Sequence, residues 1–196
     1  DNWMAVNSGL PPEIEVSSFA TVGTNLFAGI LGIFSSHGVY RSTDRGNNWA
    51  PVNSGLANNT VRALAAIGTN LFAGTEGGVF RTTNLGDNWA AVNTGLPSGT
   101  HVLSLAVSGT ALFAGTEEDG IFRSANLGES WTAINLGTGL PINPPVPAMT
   151  ASGTNIFAGT LGLGVFHSTN NGGSWTQINT GLTNPGIFSL AVSGTS

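Results

Sequence analysis

The sequence predicts an all-β fold in which one antiparallel four-stranded sheet is repeated four times, on three observations. An eight-residue phrase recurs as Ser42-Thr-Asp-Arg-Gly-Asn-Asn-Trp49, Thr82-Thr-Asn-Leu-Gly-Asp-Asn-Trp89, Ser124-Ala-Asn-Leu-Gly-Glu-Ser-Trp131 and Ser168-Thr-Asn-Asn-Gly-Gly-Ser-Trp175. A second phrase keeps register with it, at 24–29, at 69–74, as Thr110-Ala-Leu-Phe-Ala-Gly115 and as Thr154-Asn-Ile-Phe-Ala-Gly159. The runs between are short and rich in Val, Ile, Phe and Trp, bounded by Gly, Asn, Ser and Thr, and none has the i, i+3, i+4 spacing of an amphipathic helix.

Each repeat divides into four strands, a to d. Strand a is the apolar run at 16–22, 61–67, 102–107 and 146–151. Gly23-Thr24-Asn25 and its copies supply a tight turn into strand b, the Phe-Ala-Gly phrase. Strand c follows as Gly38-Val-Tyr-Arg-Ser42, Gly78-Val-Phe-Arg-Thr82, Gly120-Ile-Phe-Arg-Ser124 and Gly164-Val-Phe-His-Ser168. The Trp phrase then leads into strand d, which begins at each tryptophan and runs on to Asn53, Asn93, Asn135 or Asn179.

Several strands are apolar on both faces; Val61-Arg-Ala-Leu-Ala-Ala-Ile67 does not alternate. Such a strand needs cover on both sides, which radial stacking of small sheets provides. The tryptophans lie 46, 40, 42 and 44 residues apart from Trp3 onwards, near the roughly 40–50 residues of one propeller blade. The expectation is a β-propeller array with blades at about 16–53, 61–93, 102–135 and 146–179. A leading strand d at 3–7 and a trailing strand a at 187–192 would flank them. Asp1-Asn2-Trp3 repeats Asp87-Asn88-Trp89, so the chain reads as a portion of a longer protein. Lone flanking strands would also leave unpaired edges open to self-association.

Composition narrows function more than it names one. Only 8% of residues are charged, against roughly a quarter in an average chain, and lysine is absent. A net charge of −5 disfavours binding to nucleic acid or to anionic lipid, both of which call for clustered Lys and Arg. No apolar run reaches the ~20 residues of a membrane-spanning helix. The absence of Cys excludes disulfides, thiol catalysis and thiolate metal sites. His37, His101 and His167 fall in different repeats at different strand positions, so no metal site is expected. No cofactor is expected either.

The phrase Ser/Thr-x-Asp/Asn-x-Gly-x-x-Trp between strands c and d resembles the Asp-box. That motif belongs to sialidases, sortilin-type receptors, oligoxyloglucan-releasing glycoside hydrolases and the photosystem II assembly-factor family. The resemblance covers the whole chain through Ser42, Asp44, Gly46 and Trp49; Thr82, Asn84, Gly86 and Trp89; Ser124, Asn126, Gly128 and Trp131; and Ser168, Asn170, Gly172 and Trp175. It implies a folding device, with the acid or amide capping the turn, Gly adopting the turn conformation and Trp packing between blades. Asn84, Asn126 and Asn170 replace the acid in three copies, which removes charge and disfavours a metal at these turns. Endings such as Asn53-Ser-Gly-Leu56, Asn93-Thr-Gly-Leu96 and Asn179-Thr-Gly-Leu182 are similar to secreted bacterial propellers related to the assembly-factor group. That likeness implies a secreted, periplasmic or cell-surface location.

Sialidase-like catalysis would need three converging arginines, a Tyr–Glu pair and an acid. Arg41, Arg81 and Arg123 instead share one strand-c position, which His167 fills in the fourth repeat, and so are expected to be structural. Tyr40, the sole tyrosine, stands where Phe80, Phe122 and Phe166 stand and is expected in the core. Glycosidase action needs two carboxylates some 5–10 Å apart. The candidates Glu76, Glu117, Glu118 and Asp119 all lie in b–c turns and read as solvated turn acids. An enzyme is not expected.

In this architecture the d–a and b–c connections share one face, and the a–b turns and Trp phrases share the other. Departures from the repeat mark the binding face, because loops on a rigid scaffold carry recognition. The first b–c loop, 30–37, is extended and would expose Ile33 and Phe34 beside His37, and the d–a connection at 136–145 is long. Arg62, at the start of a strand a, would lie near the same face. The expected function is a non-enzymatic scaffold binding a protein or glycan partner through this face. Part of a carbohydrate-active hydrolase, or a purely architectural module, are the alternatives.

Overall fold

The computed structural model describes residues 4–31, 38–134, 139 and 143–193. Four antiparallel sheets, each with its strands in chain order, account for the regular structure. The first comprises β1 (Glu15–Val22), β2 (Asn25–Leu31), β3 (Gly38–Ser42) and β4 (Ala50–Pro51). The second comprises β5 (Val61–Ile67), β6 (Asn70–Thr75), β7 (Gly78–Thr82) and β8 (Ala90–Ala91). The third comprises β9 (Val102–Ser108), β10 (Ala111–Thr116), β11 (Ile121–Ser124) and β12 (Thr132–Ala133). The fourth comprises β13 (Ala148–Ser152), β14 (Asn155–Thr160), β15 (Gly164–Ser168) and β16 (Thr176–Gln177). No described residue is helical.

The first strands of successive sheets lie side by side, β1 on β5, β5 on β9 and β9 on β13, whereas β1 and β13 make no comparable contact. This is blade stacking, and it places the core between sheets rather than within them. One cluster joins Phe27 and Val39 of the first sheet to Val61, Leu64, Phe80 and Trp89 of the second. A second joins Phe72 and Val79 to Val102, Leu105, Phe122 and Trp131, and a third joins Phe113 and Ile121 to Val146, Met149, Phe166 and Trp175. The two-faced apolar strands of the sequence thus contribute to two clusters each.

The close approach of sheets depends on the Gly that ends each Phe-Ala-Gly phrase. A Cβ on Gly29 or Gly74 would stand 2.7 Å from a methyl of Val61 or Val102, the opening residue of the next sheet. Interblade hydrogen bonds reinforce the contact: Ser17 Oγ donates to the Val61 carbonyl at 2.7 Å, and Ser104 Oγ to the Val146 carbonyl at 2.7 Å.

Of the flanking runs expected as strands, neither 187–192 nor the described residues 4–7 are in a strand. Residues 187–192 form no ladder, and Gly186 makes one isolated bridge to Leu161. Ile187 nevertheless occupies the place of a following strand a. Its N–H donates to the Thr160 carbonyl at 3.0 Å, as Val146 does to Thr116 at 2.9 Å, and its side chain covers Gly159. A strand is defined by its paired neighbour, and this run has none. At the other end, Met4–Asn7 are irregular and Ser8 bridges Asn48. They still hold the place of a preceding strand d, because Trp49 Nε1 donates to the Val6 carbonyl at 3.0 Å. The strands d are shorter than expected, two residues each.

The end sheets differ from the inner ones in burial. Phe19 is 58% exposed, while Leu64, Leu105 and Met149 at the same strand position are 7–9% exposed. Those three pack back onto the preceding sheet, and Phe19 has no such sheet to meet.

Candidate functional site

The turn between the third and fourth strands is built identically in every sheet. In the first, Ser42 Oγ donates to Asp44 Oδ1 at 2.8 Å and accepts from the Gly46 N–H at 2.8 Å. Asp44 accepts from the Asn48 N–H and from Asn48 Nδ2, at 2.8 and 2.7 Å. The side-chain and backbone bonds from Asn48, then that from Ser42, hold the Asp44 carboxyl below the usual carboxylate range. Asn84, Asn126 and Asn170 accept the same backbone bond from Asn88, Ser130 and Ser174 at 2.8–3.0 Å, so an amide serves where charge is absent. The turn backbone has two successive positive φ angles, at Arg45 and Gly46, Leu85 and Gly86, Leu127 and Gly128, and Asn171 and Gly172.

The turns of the second, third and fourth sheets each end in a tryptophan that ties that sheet to the one before. Trp89 and Trp131 Nε1 donate to the carbonyls of Val52 and Val92 at 2.7 Å, and Trp175 Nε1 to that of Ile134 at 3.3 Å. All sixteen residues of the four turns are thereby engaged in backbone support or interblade packing.

Arg41 and Arg81 also reach into the following sheet. Arg41 Nη1 donates to the Leu85 carbonyl at 3.0 Å and to Asp87 at 3.2 Å. Arg81 Nη1 donates to the Leu127 carbonyl at 3.0 Å and lies 3.9 Å from Glu129. Each is neutralised in a separate interblade site, so they do not converge on one ligand. Tyr40 is buried in the core, and burial raises its pKa. His167 stacks on Phe157 at 4.4 Å and bonds Asn155 at 2.8 Å.

The other face carries polar groups that do not repeat. Arg62 sits at a bulge, skipped between the pairs Val61↔Thr75 and Ala63↔Gly74, which turns its side chain onto Glu76 at 2.7 Å. In the third sheet His101 Nδ1 lies 2.8 Å from Glu117 Oε2, and Thr100 Oγ1 donates to Asp119 Oδ2 at 2.8 Å. Gly99, His101, Glu117, Glu118 and Asp119 line a pocket of about 110 Å³. The d–a and b–c connections do share this face, since the Glu117 N–H donates to the His101 carbonyl and the Leu161 N–H to that of Pro145. The turn acids are therefore not simply solvated: Glu76, Glu117 and Asp119 each hold a partner. The arrangement can hold a water or one small polar group between an imidazole and carboxylates. No group of three or more potential metal ligands occurs among the described residues. Ile33, Phe34 and His37 lie outside the described residues.

Sequence reasoning missed the asparagines that end strands d. Asn53, Asn93 and Asn179 Oδ1 accept from the N–H of Val39, Val79 and Val165 at 2.6–2.8 Å, pinning each strand c. Their recurrence in the Asn-Ser/Thr-Gly-Leu endings was the available signal.

No family profile matches the chain, and no curated protein matches it. Solved structures do. The extracellular domain of the B. thetaiotaomicron protein BT4673 superposes with a TM-score of 0.69 at 19% identity, over 91% of this chain and 25% of that one. The GH74 xyloglucanase from Xanthomonas campestris gives 0.59 at 17% identity, over 79% of this chain and 28% of that one. YCF48 from Cyanidioschyzon merolae gives 0.59 at 17% identity, over 85% and 56%. The chain thus spans about a quarter of the BT4673 domain and about half of YCF48. No described helix is long and apolar enough to cross a membrane. In fold, this chain is an array of β-propeller blades similar to those of the GH74 and YCF48 propellers and the BT4673 extracellular domain.

Proposed function

We propose that this array is a non-enzymatic, extracytoplasmic scaffold that binds a protein or glycan partner through the face carrying the d–a and b–c connections. The observation that carries the reading is the contrast between the two faces. One is spent on four copies of the same self-satisfied turn. The other gathers Arg62, Glu76, His101, Glu117, Glu118 and Asp119 in arrangements that differ from blade to blade. Non-repeating polar groups on a repeating scaffold are what selective recognition uses. The extracellular BT4673 domain supports the location, and a neighbouring structure described as YCF48 bound to D1 peptide supports protein binding by such a scaffold.

A glycan array and a peptide array probed with the intact chain test the reading. Binding lost in His101→Ala and Glu117→Gln, but kept in Asn47→Ala on the opposite face, is expected. Release of reducing ends from xyloglucan or sialosides, abolished by Glu117→Gln or Glu76→Gln, would replace the scaffold by a hydrolase. Exposed Phe19 and Phe188 at the two end blades further support self-association of this chain, which sedimentation velocity would reveal as a concentration-dependent coefficient.

A further inference from the structure

The strand-c arginines follow a rule that the third blade breaks. Arg41 is neutralised by Asp87 and Arg81 by Glu129, in each case the residue after the turn glycine of the following blade. For Arg123 the corresponding residue is Gly173, which has no side chain. Arg123 donates to no carbonyl or carboxylate among the described residues, and its Nε is buried without a hydrogen-bond partner. A half-desolvated guanidinium lacking a counter-charge is costly unless something satisfies it.

Space for that something is present. Arg123, Ala125, Asn126, Ser130, Thr132 and Ile134 line a pocket of about 250 Å³. Beyond the cation, Thr132 offers a hydroxyl, Asn126 and Ser130 are bonded to each other at 2.9 Å, and Ile134 offers an apolar wall for a short aliphatic stem. The lining comes from the Trp-phrase turn and from β11 and β12. The pocket therefore lies away from Arg62, His101 and Glu117 and is independent of the face considered above.

From these observations we propose that Arg123 and this pocket receive an acidic side chain, Asp or Glu, from a partner polypeptide. The incoming carboxylate takes the role that Asp87 and Glu129 take within the chain. The repeat itself specifies this chemistry, because the same guanidinium position meets an aspartate once and a glutamate once. Within the chain the first pair is a hydrogen bond at 3.2 Å and the second an ion contact at 3.9 Å, and a charge-assisted hydrogen bond is stronger than a neutral one.

The test follows the arginine Nε–H signals of the ¹⁵N-labelled chain during titration with N-acetyl-aspartate methylamide. The neutral asparagine analogue and sodium chloride at matched ionic strength serve as controls. A saturable shift of Arg123 is expected, with Arg41 and Arg81 little changed and exposed Arg45 showing only non-saturating drift. Gly173→Asp should restore the internal pair. Gly173 has no positive φ, but a Cβ there would stand 3.2 Å from the Asn170 side chain and 3.3 Å from its carbonyl oxygen, so Asn170 must yield by a few tenths of an ångström. In this variant the Arg123 response should weaken about ten-fold or more, the factor that losing one charged hydrogen bond gives. The amide spectrum of the same sample confirms folding. Equal responses at Arg45 and Arg123, an undiminished response in Gly173→Asp, or binding of galacturonate without binding of the aspartate probe would each overturn the proposal.

Discussion

Trp89 donates its indole N–H to the carbonyl of Val52 at 2.7 Å, across the junction between the first and second blades. The ring is buried beside Phe80, Val61 and Leu64, so one side chain supplies both apolar contact and a directional tie at that level of the junction. Replacement by Phe keeps most of the contact and leaves the Val52 carbonyl without its donor. A loss of about 1–2 kcal/mol is expected. Trp89→Ala adds a cavity and should cost about 3–5 kcal/mol. Urea unfolding with an unchanged m-value checks both, and equal costs for the two variants would contradict the division.

The glycine of the Asn-Ser/Thr-Gly-Leu ending has a sharper requirement than its turn position alone suggests. Gly55 has φ +80°, and a Cβ there would stand 2.2 Å from the Trp89 carbonyl oxygen. Gly68 has φ +59° with open space around its missing Cβ. Alanine at 68 should cost about 1–2 kcal/mol, the left-handed penalty alone. Alanine at 55 must also displace backbone of the next blade and should cost clearly more. A comparison of the two melting temperatures in the same buffer decides it.

Much of this was legible in the sequence because the repeat writes each feature four times. Strand order, the Trp phrase and the core position of Tyr40 all follow from aligned copies. What depends on the register between blades was not legible. The Arg41–Asp87 pair joins residues 46 apart, and nothing local in either segment names the other. The Arg62–Glu76 pair needed a bulge that composition does not announce. The flanking runs read as strands because their residues copy strands a and d, but side-chain pattern cannot supply a missing ladder partner. Ile187 is the instructive case, packing as a strand residue and bonding the end of β14 while forming no ladder.

Asp44 is the one acid among the four turn-capping residues, and the first blade is therefore expected to respond to acid. Its carboxylate accepts bonds from Asn48 and Ser42 that hold its folded pKa below the unfolded value of about 3.9. A depressed carboxylate stabilises the fold above the unfolded pKa, and that contribution is lost as the pH falls through the folded value. Asp44→Asn, which copies the other three turns, should remove this dependence. Melting temperatures of the two proteins should run parallel from pH 5 upward and converge or cross below about pH 3.9.

Tyr40 reports on the same blade at the alkaline end, and as the sole tyrosine its ionisation can be read without assignment. Burial raises its pKa, so the native titration followed at 295 nm should have its midpoint above the ordinary value of about 10 and return to that value on unfolding. The sign for stability follows. A phenol whose folded pKa is raised stays protonated in the native state while the unfolded chain ionises. The stability conferred by burying it is thus complete below about pH 10 and is lost as the pH rises through the folded value. Tyr40→Phe should abolish this alkaline slope with little change at neutral pH, because Phe80, Phe122 and Phe166 already fill the equivalent site in the other three blades. A native midpoint at or below 10 would instead mean that the phenol is solvated and that the interior of the first blade is open to water.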